Sequence, residues 1–154
     1  MSKKKIENYS GRNFKKKRED DRITKKERSS LMSKIRSRDT KFEEDFIQKL
    51  RKKTKIKFKR NYQLIKGKPD IVFREQKVCV FLDSDFWHGW QYPRWRHLLK
   101  NNFWRKKIER NRARDKNITS YLRKHDWKII RIWEHLINKD KKHQIKRILK
   151  VLLS

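Results

Sequence analysis

Two short apolar runs joined by a polar turn constrain this fold more than any other feature of the chain. Ile71-Val72-Phe73 and Val78-Cys79-Val80-Phe81-Leu82 flank Arg74-Glu75-Gln76-Lys77. β-Branched and aromatic residues favour extended backbone and the polar stretch favours a turn, so strands near 70–74 and 78–82 are predicted to form a hairpin. Asp70 opens the first run, and the second ends in Asp83, Asp85, Phe86, Trp87 and His88. The hairpin therefore gathers carboxylates and an imidazole at one end of a small sheet. Carboxylates bind hard divalent cations, and a neutral imidazole near such an ion can take a proton from water.

The charge around this acidic spot identifies its ligand class. The 154-residue chain carries 48 Lys and Arg against 18 Asp and Glu, a formal net charge of +30. An excess of this size exceeds what solubility requires and calls for a polyanion, nucleic acid first. The length is that of about one domain. No apolar run approaches the ~18 residues of a membrane-spanning helix, and the N-terminus lacks the apolar core of a secretory signal. A single cysteine, Cys79, allows no internal disulfide. These features predict a cytoplasmic protein, nucleoid-associated if bacterial, with Cys79 as a small buried hydrophobe.

Residues 1–22 hold Lys3-Lys4-Lys5 and Lys15-Lys16-Lys17-Arg18 with little apolar content. They are expected to form a flexible basic arm ahead of one domain over 23–154. Thr24-Lys25-Lys26-Glu27 and Thr40-Lys41-Phe42-Glu43 match capping boxes, which predicts helices over 25–36 and 41–53. Phe58, Tyr62 and Leu64 suggest a loosely patterned strand, and Gly67-Lys68-Pro69 a turn. Residues 84–101 read as an aromatic-rich loop, 103–124 as a long helix, 128–133 as a strand and the Ile145–Leu152 region as a helix. The order predicts an α/β fold with a mixed central sheet flanked by helices. Trp127 and Trp133, which flank the last strand, are expected in the core.

On the long helix, Trp104, Ile108, Asn111, Asp115, Ile118 and Leu122 share one face. Asn111 and Asp115 interrupt an otherwise apolar stripe, and a buried carboxylate such as Asp115 is costly without a partner. Asp115 either pairs with an arginine or faces a polar site.

Taken in order, the pieces resemble the very short patch repair (Vsr) endonuclease family of the PD-(D/E)xK nuclease superfamily. They are Met32 to Thr40, Glu43, Lys68-Pro69-Asp70-Ile71-Val72, Phe86-Trp87-His88, Phe103-Trp104, Asn111 to Asp115, and Trp127 to Glu134. The resemblance covers roughly residues 24–137 and implies a restriction-endonuclease-like core that hydrolyses phosphodiesters of duplex DNA with Mg²⁺. It makes Asp70 the metal-bridging aspartate and the Leu82 carbonyl a further ligand. His88 becomes the base, Asp115 the residue that orients it, and Glu43 an anchor for water or histidine. Glu43 can equally serve only its capping box. Phe86, Trp87 and Trp104 match aromatics that wedge into the base stack beside a T:G mismatch, as opposed to core residues. Arg36, Arg38 and Lys68 are expected to contact DNA.

Two departures stand out. Asp83 occupies the place of a second family histidine and can ligate a cation instead, leaving leaving-group assistance to a water or a lysine. The family type's structural zinc site falls on Asp85, Trp90, Tyr92 and His135, of which only two can bind metal, so zinc is expected to be absent. Trp90 and Tyr92 would fill that space. Three readings stay open: nicking at a mismatched or distorted site, site-specific homing or restriction cleavage, and non-catalytic binding within a ribonucleoprotein. A monomer is expected, with duplex DNA as partner and a DNA methyltransferase or repair machinery as an associate.

Overall fold

The computed structural model describes Lys26 and residues 41–154. The basic arm over 1–22, Arg36, Arg38 and, apart from the helical and exposed Lys26, the helix over 25–36 lie outside the described residues. The first complete element is helix α1 (Lys41–Lys53), with Glu43 and Glu44 in its first turn and Arg51, Lys52 and Lys53 in its last. This polarity opposes the helix dipole at both ends.

Strands β1 (Lys59–Arg60), β2 (Ile71–Phe73), β3 (Val78–Asp83) and β4 (Lys128–Trp133) lie side by side in that order. The expected hairpin is present: β2 and β3 are antiparallel, Ile71 opposite Val80 and Phe73 opposite Val78. Strands β3 and β4 are parallel, from Val78 opposite Lys128 to Asp83 opposite Trp133. A parallel pair needs a long crossover, and the intervening segment supplies it. Helix α2 (Tyr92–Trp95), a 3₁₀ turn (Arg96–Leu98) and the 23-residue helix α3 (Asn102–Lys124) lie there. Helices α4 (Glu134–Lys139) and α5 (Lys141–Leu153) close the chain. The result is the mixed sheet with flanking helices expected of a restriction-endonuclease-like core.

Strand β3 is buried along its whole length, as a central strand covered on both faces must be. Side-chain alternation divides it. Val78, Val80 and Leu82 join Ile130 and Ile132 beneath Phe46, Ile47 and Leu50 of α1 and Ile145 and Ile148 of α5. Cys79 and Phe81 face the other way, with Val72, against Ile118 and Leu122 of α3. Asp83 falls on this second face, two residues beyond Phe81.

Three expectations change in detail. The strand near 58–64 shrinks to Lys59–Arg60, because Asn61 turns into left-handed backbone (φ 45°) and Leu64 is exposed. The aromatic loop contains α2, started by Pro93 in its first turn, where the missing N–H costs nothing. The helix expected over Ile145–Leu152 is present within α5, and the short α4 precedes it; Asp140 separates the two and caps α5 by accepting from the His143 N–H at 2.9 Å. Trp127 and Trp133 are half-buried and not fully inside; Trp127 packs beside Val72 and Leu122, and Trp133 against Trp90.

Candidate active site

Strand parity places the chemistry on the face covered by α3. Asp70 precedes β2 with the parity of Val72, Asp83 ends β3 with the parity of Phe81, and Arg131 lies opposite Phe81 on β4. Because β2 runs against β3, its beginning and the end of β3 meet at one edge. The Leu82 N–H donates to Asp70 Oδ2 at 2.7 Å across that edge. In an extended residue the N–H and C=O point to the same side, so the Leu82 carbonyl also faces Asp70.

The loop after β3 then carries His88 to α3. Backbone bonds from His88 N to Ser84 O (3.2 Å) and Trp90 N to Asp85 O (2.8 Å) wind it into tight turns. Asn111 Nδ2 donates to the Trp87 carbonyl at 3.0 Å, which ties the loop to α3. Gly89 seals the approach. It has φ +71°, and a Cβ there would lie 2.7 Å from Arg112 Cδ and 3.0 Å from Ile108 Cγ2. Gly89→Ala is therefore expected to destabilise the protein by about 1–3 kcal/mol, since left-handed backbone and a steric clash act together. Thermal melting measures it, and an unchanged midpoint would contradict the packing described.

His88 Nδ1 lies 2.6 Å from Asp115 Oδ2 and 3.4 Å from Asp83 Oδ1. An imidazole whose Nδ1–H donates to a carboxylate presents the Nε2 lone pair when neutral. Arg131 binds Asp83 with two parallel bonds, Nε to Oδ2 at 2.6 Å and Nη2 to Oδ1 at 2.7 Å. Its Nη2 is also 3.4 Å from Asp115 Oδ1, and Nη1 donates to Thr119 Oγ1 at 3.3 Å. The guanidinium rests over the Phe81 ring at 4.8 Å. Both alternatives for Asp115 thus hold: it pairs with an arginine and it faces the histidine. Arg131 itself was missed from sequence. Its only sequence signal is a charge set between Ile130 and Ile132 in a strand that also carries Lys128.

Electrostatics follow from this network. Burial alone pulls His88 down, but the Asp115 hydrogen bond and the Asp83 and Asp115 charges outweigh it and raise its pKa. Burial raises Asp115, yet the His88 bond and the charges of His88, Arg131 and Arg114 bring it below the ordinary carboxylate range. Asp70 differs. Desolvation dominates, the Leu82 N–H opposes it and Asp83 adds repulsion, so its carboxyl is pushed up to about 6. This is a carboxylate short of positive charge, facing a backbone carbonyl, a donor set that a hard divalent cation fits.

Asp83 is only 2% exposed, and both its oxygens are engaged by Arg131. Its position serves a guanidinium here. Glu43 is partly buried in the first turn of α1, a helix packed on the opposite face of the sheet. Lys68 is exposed in the turn before Pro69 with φ 50°.

The three expected wedge residues come together. Trp87 meets Phe86 edge-on at 4.9 Å and Trp104 at 5.4 Å, with the Lys107 ammonium 5.0 Å over its ring. Phe86 stacks on the buried Trp95 at 5.6 Å. Phe86, Trp87 and Trp104 are each half-buried, so an anchored aromatic group stands next to His88. At the zinc-like positions, Asp85 is buried and its Oδ1 lies 2.7 Å from His135 Nδ1. Trp90 packs 4.7 Å from the His135 ring, while Tyr92 instead turns its hydroxyl to Glu109 at 3.2 Å.

The family described as DNA mismatch endonuclease Vsr matches residues 20–94. The chain is 35% identical over 122 residues to the Type II nicking enzyme V.NmeDIP of Neisseria meningitidis serogroup C, covering 78% of this chain and 82% of that protein. It is 38% identical over 80 residues to the Type II nicking enzyme V.HpaIIP of Haemophilus parainfluenzae, 51% and 57% of the two chains. It is 29% identical over 112 residues to the DNA mismatch endonuclease Vsr of Escherichia coli K12, 70% and 69% of the two chains.

Proposed function

This chain belongs to the Vsr family of DNA endonucleases, and from that premise we propose that it is a nicking enzyme, hydrolysing one phosphodiester of duplex DNA at a directed site. The observation that carries the reading is the His88–Asp115 pair, held by Arg131 and set beside Asp70 at one sheet edge. The relatives named Type II nicking enzymes support a single-strand cut at a defined site over cleavage of both strands. The aromatic group beside His88 favours a second component, a distorted or T:G-mismatched site, which lowers the cost of unstacking.

Asp70 and the Leu82 carbonyl are the groups that would hold Mg²⁺. When bound there, Mg²⁺ supplies polarisation of a phosphoryl oxygen and a lower pKa for water. His88 takes the proton of the attacking water at Nε2. Asp115 keeps Nδ1 protonated, holds the ring and stabilises the imidazolium that forms. Arg131 helps to keep Asp115 ionised and holds Asp83 through two hydrogen bonds. Phe86, Trp87 and Trp104 open the stack near the cut, and basic side chains, among them Lys68, hold the backbone.

The test is a set of duplexes labelled on either strand, matched or carrying T:G, incubated with Mg²⁺ or EDTA. One labelled strand cut, with Mg²⁺ only, is the expected result. Equal cutting of both strands would instead indicate a restriction enzyme, and cutting of T:G duplexes alone would assign mismatch nicking. Trp87→Ala is expected to lower cleavage at least tenfold while melting changes less than for a fully buried ring, because Trp87 is only partly buried. A loss of the ~3–5 kcal/mol typical of a buried aromatic, with normal cleavage per folded molecule, would make Trp87 a core residue only.

A further inference from the structure

We propose that the outer face of α3 is a track for the phosphates of one DNA strand, running from Arg112 to Arg123 behind the His88–Asp115 pair. The proposal rests on the nicking reading and extends it to residues the catalytic chemistry does not use.

An open cleft of about 760 Å³ lies between α3 and the Gly89 turn. His88, Asp115, Asp83 and Arg131 line it, but Asp70 and Leu82 are not among its walls. It therefore opens on the Nδ1 side of His88, away from the proposed hydrolysis. The α3 wall consists of Arg112, Lys116, Thr119, Ser120, Arg123 and Lys124. Positions 112, 116, 119, 120 and 123 follow helical spacing and form one stripe beside the apolar one. The two carboxylates of the cleft, Asp83 and Asp115, are turned toward Arg131 and His88. They leave the α3 cations facing the opening.

A solvated helix face usually interleaves opposite charges four residues apart. Arg112 and Lys116 place like charges at that spacing, which weakens the helix unless an anion lies across them. Two hydroxyls, Thr119 and Ser120, sit between these cations and Arg123, and hydroxyls and cations together suit phosphate oxygens. From Arg112 to Arg123 the helix rises about 16 Å, room for several phosphates at roughly 3.4 Å of axial advance each along one strand. Helix α5 is as basic, but its core face packs on the far side of the sheet from His88. It provides the control for charge alone.

The experiment compares Lys116→Gln/Arg123→Gln with Lys146→Gln/Lys150→Gln, a pair of exposed residues on α5. Both remove the same charge. Duplex binding is followed by fluorescence anisotropy in EDTA across a salt series, after melting confirms that each variant folds. The α3 pair is expected to raise Kd at least tenfold and to lower the salt slope by about 1.8, the loss of two phosphate contacts. The α5 pair should change neither by more than a fraction of this. Equal effects from the two pairs, or none from the α3 pair, would overturn the proposal. Competition by millimolar inorganic phosphate at constant ionic strength, seen in the parent and lost in the α3 variant, would assign the cleft to free phosphate and also overturn it. Because binding is read without cleavage, a parent that binds but never nicks would remove the nicking reading and leave the track separately decided.

Discussion

Asp70→Asn is expected to lower cleavage by about three orders of magnitude or more while duplex affinity stays within a few-fold of the parent. The substitution keeps an oxygen to accept the Leu82 N–H but removes the charge that fits a divalent cation, and the loss of several kcal/mol of transition-state stabilisation sets the size. Phosphates are held by other residues, so binding survives. The same variant should show an opposite effect on stability. In the metal-free protein the folded-state Asp70 pKa is about 6, above the ~3.9 of an unfolded aspartate. Between these values the folded state holds more protons, so its stability falls as pH rises through the window. Asn lacks this penalty. In EDTA the variant should melt above the parent at pH 7 and close to it at pH 4. Parent-level nicking by Asp70→Asn would end the metal assignment; a lower melting point at pH 7 would contradict the desolvation account.

Arg131→Met is expected to cost about 3–5 kcal/mol of stability, the range for removing one partner of a buried ion pair. Asp83 is 2% exposed and takes both of its side-chain bonds from this guanidinium. Without it the carboxylate is left in an apolar layer with Cys79 and Phe81. Urea unfolding measures the loss, and Asp83→Asn in the same background should recover part of it by removing the stranded charge. Arg131 also opposes protonation of His88. Its removal leaves His88 more firmly protonated, so the rising limb of the pH–rate profile should move to higher pH. A variant as stable as the parent would contradict the Arg131–Asp83 pairing as a source of stability.

Among the described residues, sequence alone determined the order of the longer elements, because periodicity, capping and turn chemistry are local. The hairpin, the long α3 and the parallel partner over 128–133 were all legible that way. So were the residues gathered near the site, since Asp70, Asp83 and His88 flank one hairpin and Asp115 interrupts an apolar helical stripe. The short helix α4 over Glu134–Lys139 was not legible, because six residues are too few to show helical periodicity. What only the tertiary structure decided is which charges meet. Arg131 is one of many cations in a chain of net charge +30, and its place between two isoleucines does not say which carboxylates it meets. Parallel pairing of β3 with β4 sets it opposite Phe81 and within reach of Asp83 and Asp115. The pairing turned Asp83 from an expected cation ligand into the anchor of a guanidinium. Ion pairing acts between residues 48 positions apart, and only a closed sheet brings such residues to 2.6 Å.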